Sequence, residues 1–553
     1  MNKVCKNCNC EFEITDEDKN FLERLSPEIN GKKYLISSPT ICPECRMIRR
    51  LIFRNDRSLY NSKSAFSEKD IVSMYNPEKN LVVYEYDEWW SDKWNALSYA
   101  KEYDFSKSFF EQWNELIQIV PRFNLYNNDT ENCDFVNYAP HSKNCYLLFG
   151  SWFCEDCFYS QTMNECKNCI DSLFLDKCEL CYETLDCDRC YNCFWCQNCS
   201  STNDSYFCFD CRGCNNCIGC HNLRNKQYHI LNKEVSKEEF EKEKEKFKSF
   251  STLEEKKKYF KDYIKENACF KAFTGNNNEN VSGDFINESK NAKECFSISR
   301  CEDCKYSSRL FEQKDCLDTE SGGKCILCYE TMSSDYGYLG NFSMTSEYLN
   351  NCNYCDLCFN SEHLFGCIGL KREKYCILNK KYTKEEYEEL VPKIIEDMKS
   401  KGEWGEFFPF EISPFSYNET MAYDYFPLSK EESLSKGWGW KDDLEKKVIQ
   451  SYVIPDNIDD IYDDILNEVL ICEKTGQQYR VIKQELDYYR KEGLPVPRVC
   501  FDKRHTTRLF LRNPRKLWDR NCVGCNVGVR TSYSPDREEK IYCEECYNNH
   551  VYK

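Results

Sequence analysis

Two sets of four cysteines, one at each end of the chain, have the spacing of metal knuckles. Cys5-x2-Cys8 with Cys42-x2-Cys45 forms the first set, and Cys522-x2-Cys525 with Cys543-x2-Cys546 the second. Paired C-x2-C motifs bring four thiolates to one tetrahedral ion, and zinc is the ion expected for such a set. Four protein ligands close a site and leave no position for a catalytic water. The expectation is one zinc at each end, about two per chain. Cys10 is a spare thiol beside the first set.

Each end also carries arginines at helical spacing. Arg46, Arg50, Arg54 and Arg57 follow one another at steps of 4, 4 and 3, so a helix puts them on one face, with Met47, Ile48, Leu51 and Ile52 covering another. Arg504, Arg508, Arg512 and Arg515 repeat that spacing. The guanidinium fork suits phosphate, which makes RNA or a ribonucleoprotein an expected partner, bound mostly through its backbone. The competing expectation is ion pairing with the acidic body, for example with the run "DNIDDIYDD" at 456–464.

The two ends are copies of one module. Arg504, Arg508, Leu509, Arg512, Asn513, Arg515 and Leu517 fall on Arg46, Arg50, Leu51, Arg54, Asn55, Arg57 and Leu59 at an offset of 458. Each module has room for two metal sites and keeps one. At the start, the second site reads Ser64, Ser67, Glu85 and Glu88. At the end, Thr475 and Lys503 interrupt the first site and leave Cys472 and Cys500 as orphans, with His505 close enough in sequence to make a poor third ligand.

Between the modules the chain holds most of its 41 Cys. Cys145, Cys166, Cys187 and Cys208 fall 21 apart, as do Cys157, Cys178, Cys199 and Cys220. A fixed period without helical pattern reads as one coil of a parallel β-solenoid, with about five coils over 124–228. The array recurs: "CEDCFYSQTMNECKNCIDSLFLDKCELCYET" (154–184) matches "CEDCKYSSRLFEQKDCLDTESGGKCILCYET" (301–331) at 17 of 31 positions, offset 147. Each array exits into a helix with a capping box, Ser236 with Glu239 and Thr383 with Glu386. Stacked C-x2-C pairs could bind zinc, but the second copy has Ser334, Gly337, Gly340, Ser343 and Ser346 opposite Cys187, Cys190, Cys193, Cys196 and Cys199. Small replaces small without regard to sets of four, so these thiols are expected to fill space. A period of three is neither strand nor helix, so each C-x2-C is expected to span a bend.

The expected fold is therefore mainly β. It consists of two Cys-rich parallel β-solenoid arrays of 21-residue coils with capping helices, flanked by zinc-ribbon α+β modules. The expected divisions are 1–100, 101–232, 233–268, 269–380, 381–467 and 468–553. The aromatic runs at 86–116, with Trp89, Trp90 and Trp94, and at 404–426 are expected to dock onto neighbouring parts.

The pattern C-x2-C…P-x2-C-x2-C-R-x2-R over residues 3–50 resembles the bacterial probable zinc-ribbon family of small domains. The full layout resembles large, uncharacterised Cys-rich proteins of reduced-genome bacteria in which ribbons flank repeats. The resemblance implies zinc at Cys5, Cys8, Cys42 and Cys45, and implies no reaction or substrate.

Composition narrows the function classes. A net charge of −18 over 553 residues argues against a protein that coats nucleic acid with its whole surface. Residues 1–60 hold 11 Lys+Arg against 9 Asp+Glu, and 500–553 hold 11 against 7, so the acidity lies in the middle. No signal peptide and no apolar run of about 20 residues is visible, so a reducing cytoplasm without membrane contact is expected. The six His lie in no nucleophile motif, and no phosphate-binding glycine loop is present. The expectation is a non-enzymatic zinc-binding scaffold whose ends grip RNA or a ribonucleoprotein. Alternatives are a protein-interaction scaffold using the solenoid faces and a thiol-rich metal store or redox protein.

Overall fold

The computed structural model describes residues 1–179, 199–442 and 452–552. Of the cysteines at 187–199, only Cys199 falls within them. Helix accounts for 27% and strand for 28%, so the chain is mixed rather than mainly β. The helices belong to the terminal modules and to the caps and connections of the arrays.

The arrays are built on a three-residue unit. Its first residue points inward and is buried, as in the series Cys154, Cys157, Ser160, Met163, Cys166, Cys169, Ser172, Leu175 and Cys178. The second donates its N–H to the turn that follows, as Lys143 N does to Cys154 O at 2.8 Å. The third is left-handed (Asp156 φ 53°, Tyr159 φ 54°, Thr162 φ 57°) and donates to the turn before, as Asp156 N does to Lys143 O at 3.0 Å. A left-handed non-glycine residue costs roughly 1–2 kcal/mol. Two inter-turn hydrogen bonds per unit offset that cost.

Four units make a turn, and each side of a turn pairs in parallel with the next: Glu131↔Lys143, Asp134↔Tyr146 and Asn137↔Phe149. The repeat along the stack is thus 12 residues, which corrects the expected 21. Both numbers are multiples of three, so both bring inward cysteines into columns. Only the turn geometry selects 12.

The unit also explains the cysteines. The N–H of an inward residue is left over by the ladder, and where the inward residue one turn earlier is Ser or Cys its side chain can accept it. Cys154 N donates to Ser142 Oγ at 3.3 Å, Met163 N to Ser151 Oγ at 3.1 Å, and Cys211 N to Cys199 Sγ at 3.4 Å. The thiol in turn donates to a carbonyl, as Cys157 Sγ does to Cys166 O at 3.5 Å. The position therefore favours a small side chain that both donates and accepts, which Cys, Ser and Thr supply. Ser334, Ser343, Ser346, Gly337 and Gly340 are all buried, as space-filling positions should be.

The 147-residue offset holds in three dimensions. Strand Gln227–Ile230 with its antiparallel partner Lys233–Glu234 matches Lys374–Ile377 with Lys380–Lys381, and the capped helices Lys237–Lys244 and Lys384–Ser400 follow. The second array forms an 11-stranded sheet, parallel except at this last pair.

The terminal modules match over five elements, the start carrying in addition a small hairpin, Glu28–Ile29/Lys32–Lys33. At the start come hairpin Asn2–Val4/Glu11–Glu13, helix Asp16–Leu25, arginine helix Pro43–Leu51, hairpin Tyr60–Lys63/Asp70–Ser73 and helix Tyr86–Trp90. At the end come hairpin Leu470–Ile471/Gln478–Tyr479, helix Lys483–Glu492, arginine helix Phe501–Leu509, hairpin Trp518–Asn521/Gly528–Thr531 and helix Glu544–Val551. Each module joins both arrays. Val83–Tyr84 pairs with Arg122–Phe123, which leads into the first array, and Ile541–Tyr542 pairs with Phe270–Lys271, which leads into the second. The aromatic runs dock as expected: Trp89 is fully buried and donates to Pro121 O at 2.8 Å, Trp90 lies 4.7 Å from Phe359, and Trp404 packs near Tyr354 and Phe365.

Candidate metal centres and the arginine helices

Each terminal module contains two knuckle-and-helix units, four in all. In each unit a hairpin turn passes through a left-handed residue, at Asn9, Glu68, Gly476 and Asn526. The residue opposite the turn caps a helix: Cys42 for Pro43–Leu51, Glu85 for Tyr86–Trp90, Cys500 for Phe501–Leu509 and Cys543 for Glu544–Val551. This arrangement presents two side chains from the turn to two at the helix start, where the helix dipole favours negative charge.

Two of the four units hold four thiols. The sulfurs of Cys5, Cys8, Cys42 and Cys45 lie within 4.8 Å of one another, as do those of Cys522, Cys525, Cys543 and Cys546. Cys8 Sγ is 3.7 Å from Cys42 Sγ, and Cys525 Sγ is 3.7 Å from Cys543 Sγ. A tetrahedral ion bound at about 2.3 Å would space its sulfurs by about 3.8 Å, so the sets fit a metal ion such as zinc. Cys5 Sγ accepts from Cys42 N at 3.3 Å, and Cys522 Sγ accepts from Cys543 N at 3.2 Å and Gly524 N at 3.3 Å. Burial opposes ionisation of Cys5, but the backbone N–H groups of Cys42, Cys8 and Asn7 outweigh it and draw the thiol down to about 6. Burial is likewise outweighed at Cys522 by the backbone of Cys543, Cys525 and Gly524, again to about 6.

The other two units close without a metal set. Ser64 Oγ bonds to the Glu88 carboxylate, which also accepts from Glu85 N at 3.2 Å. At the end, Cys500 Sγ faces Thr475 Oγ1 at 3.7 Å and donates to Gln477 Oε1 at 3.5 Å. His505 does not join Cys472 and Cys500 in a metal-holding group among the described residues. Burial, helped by Arg57 and Arg508, holds its imidazole neutral.

The arginines form neither free faces nor single helix faces. The helices end at Leu51 and Leu509, so only Arg46 and Arg50, and Arg504 and Arg508, lie on them, while Arg54, Arg57, Arg512 and Arg515 follow beyond the helix ends. On the N-terminal helix, Arg46 Nε meets Asp318 at 2.8 Å and Arg50 Nη1 meets the same carboxylate at 3.1 Å, with all three side chains buried. Glu330 takes Arg49 at 2.9 Å and Arg50 at 3.2 Å. Arg54 pairs with Asp56 at 2.7 Å, and half-buried Arg57 with Asp424 at 2.5 Å. On the C-terminal helix, Arg504 Nε meets Asp171 at 3.1 Å and Arg508 Nη2 meets it at 2.9 Å. Arg512 lies over the rings of Phe174 and Phe285 at 3.8 and 3.9 Å, and Arg515 pairs with Glu320 at 3.2 Å. Burial works against the Arg504 charge, but Asp171, Tyr489 and Glu485 outweigh it and keep the guanidinium protonated.

Asp171 and Asp318 are the same position of the two arrays, 147 residues apart, and both are left-handed corner residues. Each arginine helix therefore sits on one array through the same two-arginine, one-aspartate contact, the N-terminal helix on the second array and the C-terminal helix on the first. The acidic 456–464 run expected as their partner is not what they meet. The aspartates sit in a Cys-rich repeat and carry no local signal of their role. Only the coincidence of the two internal offsets, 147 and 458, could have paired them with the arginines.

No helix among the described residues is long and apolar enough to cross a membrane. A scan against protein-family models and a search of curated proteins found no match to this chain.

Proposed function

We propose that the protein is a non-enzymatic scaffold. Its two arrays, read as short solenoids, are locked together by terminal modules that each bind one zinc ion, and their outer faces serve protein partners. The observation that carries this reading is the crossed clamp: each module pairs a strand with the lead-in to one array and seats its arginine helix on the other. A closed tetrathiolate site at the root of such a clamp has a structural role, because four protein ligands leave no open position for chemistry. The expected RNA grip would require the guanidinium forks to face phosphate. Their pairing with buried carboxylates favours a partner other than RNA at these helices. A metal-store reading would require free thiolates along the arrays, whereas the described array thiols donate S–H to backbone carbonyls.

Two measurements on native protein test the reading. Elemental analysis should find about two zinc ions per chain. Partner proteins should remain bound after nuclease treatment. Many metal ions per chain, or partners lost to nuclease, would overturn it.

A further inference from the structure

The two tetracysteine knuckles are built alike, and of the neighbouring side chains that differ between them one, Cys10, is a thiol. The first reads Cys5-Lys-Asn-Cys8-Asn-Cys10 and the second Cys522-Val-Gly-Cys525-Asn-Val527. Cys5 N donates to Cys10 O at 2.8 Å, and Cys522 N to Val527 O at 2.9 Å, with Asn9 and Asn526 left-handed at φ 59° and 60°. The backbone thus fixes Cys10 and Val527 at the same place relative to their clusters. Cys10 Sγ lies 3.1 Å from Cys8 Sγ, and both residues are exposed, while Cys5, Cys42 and Cys45 are buried. A tetrahedral ion holds four thiolates, so the fifth thiol stays uncoordinated next to the most accessible ligand.

We propose that Cys8 and Cys10 are an oxidation site through which a peroxide releases the metal ion from the N-terminal cluster, while the C-terminal cluster keeps its ion. This rests on reading the clusters as metal sites. The Cys8 thiolate attacks the peroxide, breaking the O–O bond to give a sulfenic acid and hydroxide. That hydroxide takes the Cys10 proton, and the Cys10 thiolate attacks the Cys8 sulfur, forming the disulfide and expelling hydroxide. Two electrons pass from two sulfurs to the two oxygens. The ion is left with three protein ligands and departs. At the C-terminal cluster Val527 supplies no resolving thiol.

The test treats full-length, metal-loaded protein with hydrogen peroxide and follows released zinc with a chromophoric chelator. Wild type should release one of its two equivalents, and the tryptic peptide 7–19, which contains Cys8 and Cys10 and no other cysteine, should lose two hydrogens. Cys10→Val should slow release about tenfold or more, because the resolving step is gone. Val527→Cys, at a residue that is 51% exposed and so tolerant of change, should make the second equivalent labile. Equal release from both clusters, unchanged release in Cys10→Val, or a disulfide from Cys8 to Cys42 would overturn the proposal. Protein with no metal in either cluster would instead refute the metal reading. The oxidation site would then stand or fall on whether the 7–19 peptide loses its hydrogens in preference to the C-terminal knuckle.

Discussion

Replacing Asp318 with alanine should unseat the N-terminal arginine helix and leave its C-terminal counterpart in place. Asp318 holds Arg46 and Arg50, all three buried, so its loss strands two cations in a low-dielectric interface. Breaking a buried pair costs about 3–5 kcal/mol. Glu330 remains within 3.2 Å of Arg50, which places the expected cost near the lower end, about 3 kcal/mol. At 1.4 kcal/mol per decade, opening of the helix becomes roughly a hundredfold more frequent. Hydrogen exchange reads this locally, which matters because a chain of several parts need not unfold in one step. Peptides covering 43–57 should lose protection while those covering 501–515 keep it, and Asp171→Ala should reverse the pattern. Glu302→Ala, which breaks a half-exposed inter-turn pair with Lys314, should change protection by less than about 1 kcal/mol. Unchanged protection of 43–57 in Asp318→Ala, or equal loosening of both helices, would refute the clamp.

Other outcomes follow from the same geometry. Burial first, and then the neighbouring Glu347, push the Asp335 carboxyl up to about 7 from its ordinary 3.8. A raised acid favours the folded state while protonated, so stability should fall as pH rises from about 4 through about 7. Asp335→Asn should flatten that slope in denaturation series and stabilise the protein above pH 7. Cys42→Ser should remove one metal equivalent per chain and loosen helix Pro43–Leu51 in hydrogen exchange, leaving the other equivalent bound. In the second array, Cys358 Sγ donates to Cys367 O at 3.4 Å and its N–H bonds Ser346 Oγ at 3.1 Å. Cys358→Ser should therefore cost less than about 1 kcal/mol. Cys358→Leu, which overfills the stack, should cost about 1–3 kcal/mol, read as a shift in the denaturation midpoint.

The terminal units were legible from residue types alone. Four cysteines in two C-x2-C pairs specify a tetrathiolate cluster because sulfur chemistry needs that number and spacing, and the reciprocal decay at Ser64, Glu88, Thr475 and Lys503 marked which units had lost it. The 21-residue spacing differs from the 12-residue turn for an identifiable reason. With inward residues at every third position, any multiple of three aligns cysteines, and the 21-residue columns competed with Cys133, Cys145, Cys157 and Cys169, which stand 12 apart. The number of units per turn depends on the left-handed corner angle, which a side-chain pattern does not encode.

The amino-acid order by itself determined the local chemistry: which thiols gather into clusters, which small residues line a stack, and which segments are copies of one another. What the arginine helices meet was decided only by the tertiary structure. An arginine face is equally suited to phosphate and to carboxylate, and the choice depends on which charge the fold brings within about 3 Å and removes from water. Asp171 and Asp318 lie far from those helices in sequence, and the stacking of turns is what delivers them.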